Sequence, residues 1–456
     1  MQRASHALVI GGSMAGLLTG RILANHFDQV TIIERDYYPK EPAPRRGVPQ
    51  SGHFHILLSR GRKILEQLFP GLQDELVAAG APLLTPQKET VWFSPAGWAI
   101  HFTPDRTGFV SSRDLLDWTI RRRLASFANV RFLEGTRVTG LLANSEHTGV
   151  AGAVVRFCDK ADSTEEKSLY ADLVVDASGK VSKAPQWLQT LGYAPPQEIV
   201  INGFFGYASR IYQAKADCPA DWHSVFVSTA PPSRTRGGAI FPIEGKRWIV
   251  SLGGGGGDYP PTEEAGFLEF AHSLPTPLIY NAIKDAQPLT PISSYRGTEN
   301  RIRHYDRLFR YPENFVVVGD AACAFNPVYG QGMTVAALSA QILDQCLNQP
   351  QPHPDCNLKG LSRQVQQKLA HVHSVAWLFA TSQDYRYRGS AGGKPSLVTQ
   401  LMIQYMDQVL KLITEDADVC QTFLEVVHMI KPPANLFHPS IVVKAIGQII
   451  KPSLSF

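Results

Sequence analysis

Two acidic residues, each closing a run of apolar residues beside a glycine-rich turn, carry the chemistry most legible in this 456-residue chain. The run HALVI passes into GGSMAG (residues 11–16) and a helically spaced segment. A second run, QVTIIER, follows and ends on Glu34, about 20 residues beyond the turn as in a dinucleotide-binding unit. A helix that opens on such a turn offers unpaired N–H groups and a positive dipole end to phosphates. An acidic side chain at the next strand end accepts hydrogen bonds from ribose hydroxyls. Gly11 allows the tight turn, Gly12, Met14 and Ala15 complete it, and Gly16 lets the helix approach the strand. Ser13 stands where the G-x-G-x-x-G pattern has its second glycine, facing the pyrophosphate, where a small side chain is required. Glu34, with Arg35 beside it, disfavours a 2′-phosphate, so the adenosine expected here is that of FAD or NAD rather than NADP.

The far segment ENFVVVGDAACAFNPVYGQGMTVAALSAQIL (residues 313–343) separates FAD from NAD. A strand ending in Gly319 and Asp320 presents one carboxylate to a polyol such as ribitol. Pro327, Gly330, Gly332 and Met333 then open an apolar helix whose N–H groups can face negative charge developing on the N1/C2=O edge of a reduced flavin.

The elements that must position these residues follow from periodicity. The short apolar runs read as buried parallel strands, and the stretches INGFFGYASRIY (residues 201–212), GGAIFPI and RWIVSLGG read as antiparallel strands. From about Asn357 the spacing turns helical, with RGSAGGKPS (residues 388–396) as a connector. His371 and His373 have no acidic partner at metal spacing and read as ordinary helix residues; no metal site is expected. The net charge of +4 and the absence of a long Lys/Arg run exclude a nucleic-acid track, and RRR at 121–123 reads as a solvated helix face. Six cysteines without C-x-x-C spacing suit reduced thiols in a cytoplasmic protein. No signal peptide and no spanning helix are expected. The last stretch, FHPSIVVKAIGQIIKP, has an apolar face broken by Lys444 and Gln448 that suits packing, with peripheral membrane contact through the C-terminal helices as the alternative.

Residues 5–345 resemble the FAD-dependent monooxygenases of the p-hydroxybenzoate hydroxylase fold. The matched segments are the Gly-rich turn with Glu34, ADLVVDASGK (residues 171–180) and the segment around Asp320. PRRGVPQSGHFHILLSRG, SSRDLLDWTIR, FPIEGKRWIVSLGG and NPVYGQGM are similar to the polyether-type polyene epoxidases and, more distantly, to squalene epoxidase. The resemblance implies an α/β fold: a Rossmann-like FAD-binding domain (residues 1–90, 111–185 and 299–350) interleaved with an antiparallel β-sheet substrate domain (91–110 and 186–298), plus C-terminal helices (351–456). It places Arg45, Gly47 and Val48 in the loop over the pyrophosphate and flavin, and Arg113 on the phosphate and ribityl region. Val138 is placed at the adenine, Ala177 and Ser178 in the middle segment, Asp320 on the ribitol, and Pro327, Gly330, Gly332 and Met333 at the ring edge. DASGKVSKAPQWL departs from the family's NAD(P)H-docking pattern, which leaves NAD(P)H or a separate flavin reductase as the electron source.

The implied reaction is insertion of one atom of O2 into a lipophilic small molecule, epoxidising an alkene or polyene through a C4a-hydroperoxyflavin, with no side-chain nucleophile. His53 and His55, beside the FAD loop, read first as structural histidines capping the helix, with donation of a proton or hydrogen bond as the alternative. Phe204, Tyr207, Phe241 and Trp248 are the candidates to line the substrate, though for any one of them ordinary sheet core is the preferred reading. The competing readings are a flavin-dependent reductase of prenyl-type double bonds and a non-redox flavoprotein such as a cyclase or FAD-binding protein. A halogenase is disfavoured because W-x-W-x-I-P is absent.

Overall fold

In a computed structural model that describes residues 5–85, 89–100, 108–158, 165–214, 222–349 and 358–450, the apolar runs form a five-stranded parallel sheet. Cys218, Cys356 and the His101-Phe102 end of GWAIHF lie outside the described residues. The strand order is Phe315–Val317, Leu173–Asp176, His6–Ile10, Gln29–Ile33, Val130–Leu133. The inner strands are apolar at nearly every position because both faces are covered. Ala7 and Val9 point to a layer of helices that includes Met14–Leu23, Arg113–Ala125 and Gly332–Leu347. Leu8 and Ile10 point the other way, onto Val138, Val150 and Val155 of a three-stranded antiparallel sheet.

A seven-stranded sheet, antiparallel except where Ser224–Val227 runs parallel to Thr90–Ser94, stands across the cleft. Its two faces follow the period of two: Ala239, Phe241 and Ile249 share one, while Ile240, Trp248 and Val250 share the other, packed under Glu264–His272 and Leu278–Ile283. The expected strand 201–212 is two strands in different sheets, Glu198–Ile201 and Gly206–Gln213. The break falls at Phe204, whose φ of 47° ends a regular strand.

Beyond residue 357 the chain is helical. Leu361–Asp384 packs on Gly332–Leu347, while Leu397–Leu412, Ala417–Val427 and Pro439–Ile450 close over the edge of the large sheet. There Trp92 stacks on Phe423 at 5.9 Å, and Ile100 N donates to Ile413 O. The connector is held by paired backbone bonds between Asn202 and Ala391.

Leu17 is wholly buried between the glycine-turn helix and the parallel sheet, whereas Leu401 is 66% exposed. Leu17→Ala is expected to lower the unfolding free energy by about 2–5 kcal/mol, and Leu401→Ala to change it by less than about 0.5 kcal/mol. Denaturant unfolding of both variants checks the assignment of the core.

Candidate functional site

The C-terminal ends of the parallel strands and the inner face of the large sheet enclose a cavity of about 1390 Å³. Small-molecule sites usually measure roughly 300–1,000 Å³, so this one has room for an extended cofactor and a second molecule. One end is built by close backbone crossings. Gly11 has φ 95°, and a Cβ there would lie 2.7 Å from Ala177 O; a Cβ on Gly16 would lie 1.8 Å from Gly11 O. The turn therefore nests between two strand ends and brings the first turn of Met14–Leu23 to the cavity wall. Ser13 caps that helix without a side-chain capping bond, so the first-turn N–H groups are left for a ligand. Arg113 explains the serine: its guanidinium donates to Ser13 Oγ at 3.1 Å and to Asp117 at 2.6 Å, placing a buried cation beside the helix N-terminus.

Glu34 is buried at the strand end and lines the cavity. It accepts from Gly12 N (2.8 Å) and Asp36 N (3.1 Å), with Arg45 at 3.3 Å. Arg45 stands behind the turn rather than in the wall, stacked over Tyr38 and donating to Gly12 O, whereas Gly47 and Val48 of the same loop reach the cavity. Arg35, Arg137 and Val138 complete this end.

Asp320 lines the cavity close to that turn, since a Cβ on the preceding Gly319 would lie 2.8 Å from Ala15. Burial pushes its carboxyl above the usual range, partly offset by Lys180 and Arg113. Lys180 lines the wall and is itself tied to Glu299 (2.9 Å) and to the carbonyls of Gly297 and Glu299. The loop Pro327–Gly332 follows, turning at Gly330 with φ 66° against Ile56, and Met333 begins the helix whose N-terminus faces the same space. One buried polar atom in the wall, Gln331 Oε1, has no hydrogen-bond partner among the described residues. Free helix N–H groups, a ribose-type carboxylate, a polyol-type carboxylate and an unmatched polar atom along one cavity are the donor and acceptor set that FAD requires.

The loop is anchored by a residue that no motif signals. Asp384, at the end of Leu361–Asp384 and wholly buried, accepts from Asn300 Nδ2 (2.6 Å), Asn326 Nδ2 (3.1 Å) and Tyr329 OH (2.6 Å), and Asn326 N donates to Asn300 Oδ1. Only the fold brings residue 384 to residues 326–329.

Some expected residues are elsewhere. Tyr207 and Phe241 line the cavity, but Trp248 is on the opposite sheet face in the core beneath the two short helices, and Phe204 is 38% exposed outside the wall. Gly16 and Gly319 support the wall without lining it. The aromatic and apolar cover comes instead from the C-terminal helices, with Phe379, Met406, Phe423 and Val427 opposite Trp92 and Phe226. His53 lies behind the wall, bonded to Ser209 Oγ at 2.8 Å. His55 does reach the wall, but its Nδ1 sits 2.9 Å from the His53 carbonyl, which can only accept. The proton is thereby on Nδ1 and Nε2 is an acceptor. Burial holds both rings neutral, His53 near 4 and His55 near 3.

Burial raises Asp384 to about 6 against the hydrogen bonds it receives. A carboxyl whose folded pKa exceeds its unfolded value contributes stability below about pH 4 that is lost as pH rises through about 6. Relative to Asp384→Asn, the native protein is expected to lose on the order of 2–3 kcal/mol of unfolding free energy between pH 4 and pH 7. A difference that stays constant across that range would mean that Asp384 is ionised throughout.

Comparison with known proteins agrees with this geometry. An FAD binding domain model matches residues 4–349, which include the turn, Glu34, Arg113 and the Asp320 loop. Protein Rv3254 of Mycobacterium tuberculosis is 33% identical over 357 residues, covering 75% of this chain and 73% of the relative. Kynurenine 3-monooxygenase of Salinispora arenicola is 27% identical over 380 residues, covering 78% and 74%. The solved structure of the flavin-dependent brominase Bmp2 has the same fold, with a TM-score of 0.62 at 15% identity over 98% of this chain and 99% of the brominase. The chain therefore belongs to the FAD-binding-domain family of FAD-dependent monooxygenases and is an FAD-dependent oxidoreductase.

Proposed function

We propose that the enzyme inserts one atom of O2 into a carbon-carbon double bond of a lipophilic molecule held between the inner face of the large sheet and the C-terminal helices. The observation that carries this reading is the character of the chamber beyond Gly330. Its wall there includes Trp92, Phe226, Phe379, Met406, Phe423 and Val427, interrupted by neutral polar groups such as Thr229 and Gln383, with no carboxylate among the described residues and with His55 held neutral. An alkene is electron-rich and needs no proton removed, so a water-poor chamber without an acid/base pair suits its epoxidation better than chemistry that begins with deprotonation.

Bound FAD, once reduced, supplies the oxygen-activating chemistry. The first turn of Met14–Leu23 and Arg113 would hold the pyrophosphate, Glu34 the ribose and Asp320 the ribityl chain. The Pro327–Gly332 loop and the helix behind it would border the ring and offer it N–H groups. The apolar chamber excludes water from the reacting face. The electron source is NAD(P)H or a partner reductase. The exposed Leu397, Val398 and Leu401, with Val443 and Ile446 on the neighbouring helix, support peripheral contact with a lipid surface. Among the described residues no helix is long and apolar enough to cross a membrane.

Incubation of enzyme, reductant and 18O2 with lipophilic polyenes is expected to yield a product heavier by one 18O atom. Anaerobic saturation of the double bond without 18O uptake in air replaces this reading with the reductase, and a product that forms only with added halide replaces it with halogenation. Removal of Asp320 tests the cofactor assignment. A charge-assisted hydrogen bond is worth about 1.5–3 kcal/mol, so Asp320→Ala is expected to weaken FAD binding about tenfold to a hundredfold in a flavin-fluorescence titration. An unchanged Kd would remove Asp320 from the ribityl site.

A further inference from the structure

Among the described residues the carboxylates of the cavity wall are Glu34 and Asp320, both in the cofactor segments. The opposite charge collects where Ser59–Leu68 meets the turn after Ala417–Val427. There Arg60, Arg62 and His428 enter the wall beside Gly108, Phe109 and the apolar chamber. Arg62 donates to Ser59 Oγ at 3.0 Å, and among the described residues no carboxylate lies within ion-pair distance of it. Its guanidinium is packed so closely on Gly108 that a Cβ there would overlap it. Burial lowers its pKa, as expected of a cation that has shed water without gaining an anion. Arg60 is likewise without a carboxylate and donates to Gln341 Oε1 at 3.1 Å.

His428 extends the donor set. Ser59 N donates to its Nδ1 at 3.3 Å, and Ser59 Oγ, which accepts from Arg62, lies 3.2 Å from the same nitrogen. In the neutral ring the proton is then on Nε2, which has no partner among the described residues. Burial and the nearby Arg62 keep that ring neutral, near 4. An apolar chamber thus carries a polar patch made of donors alone.

We infer that this patch binds a carboxylate, and that the substrate is an amphipathic acid whose unsaturated chain runs through the apolar chamber. This inference rests on the proposed reading of the chamber as the site of a lipophilic alkene. A planar carboxylate accepts both prongs of a guanidinium fork, with His428 Nε2–H as a further donor. A neutral ester or alcohol leaves the buried cation uncompensated, which is costly.

The test is binding to the FAD-loaded enzyme, read from the perturbation of flavin absorbance, with linolenic acid, its methyl ester and the corresponding alcohol as probes. The acid is expected to bind at least tenfold more tightly than the ester or alcohol. Arg62→Gln is expected to abolish that preference and Arg62→Lys to restore part of it, with the Kd for FAD unchanged in both. Equal affinity for acid and ester in the native enzyme, or a preference that survives Arg62→Gln, would overturn the inference. Because the readout is binding, its failure is distinct from failure of oxygen transfer. Acid preference without 18O uptake leaves the carboxylate site standing, and equal binding of acid and ester removes it whether or not 18O is taken up.

Discussion

Everything in the site depends on how closely two strand ends and one turn can approach. The first strand runs beside Leu173–Asp176, and the chain must reverse into a helix within a few residues of Ala177. That leaves no room for a Cβ at Gly11 or Gly16. The crossing is what sets the N-terminus of Met14–Leu23 at the mouth of the parallel sheet, where strand C-termini place Glu34, Ala177 and Asp320 around one space. A wider crossing would keep each strand and still lose the site, because the helix N–H groups would no longer share that space with the carboxylates.

The site's electrostatics follow from how few of its charges are left uncompensated. Glu34 is balanced by two backbone N–H groups and Arg45, Arg113 by Asp117, and Lys180 by Glu299. Asp384 shows the same economy with neutral donors, three side chains satisfying one carboxylate that has given up water. A buried charge matched in this way stabilises a geometry more than it stabilises the fold, since replacing a matched pair by apolar groups often costs little whereas removing one partner costs much. Here the fixed geometry is that of the Pro327–Gly332 loop, and its anchor sits on a helix that also walls the cavity. Loop and helical wall are therefore mechanically joined at Asp384.

The cofactor half of this arrangement was legible in the sequence because it is made by local segments. A turn, a strand end and a helix start contribute adjacent residues, so spacing alone carries the information, as at Gly11 to Gly16 and at Asp320 to Met333. Ser13 is instructive: as a departure from the glycine pattern it reads only as tolerated, whereas the fold makes it the acceptor for Arg113, 100 residues away. The substrate half was not legible for the same reason inverted. Phe241 and Trp248 look alike in sequence, and which of them faces the cavity is a matter of strand parity and register; Phe241 pairs with Ile249 on the inner face, and Trp248 falls on the other. The break at Phe204 shifted the expected strand into two sheets. The residues that do wall the chamber come from helices beyond residue 357, whose apolar spacing is indistinguishable from ordinary core until their packing is seen.

That division has a consequence for how such a chain acquires specificity. The fold is shared with a brominase at 15% identity, so the fold by itself does not fix the reaction. The choice must lie where the scaffold ends, in the chamber between the large sheet and the C-terminal helices. Those helices touch the scaffold through the packing of Leu361–Asp384 on Gly332–Leu347, the Asp384 network, the Trp92–Phe423 contact at the sheet edge and backbone and side-chain bonds such as Ile100 N to Ile413 O and Ser59 N to His428 Nδ1. Side chains such as Met406 and Val427 project from this layer, so they can change without disturbing the parallel sheet or the glycine crossing. Arg62 differs, because it is set on Ser59–Leu68 and held against Gly108 within the scaffold itself. Arg60 and Arg62 at the polar end are therefore set on the framework around the glycine crossing, while His428 and much of the apolar wall come from the helical layer.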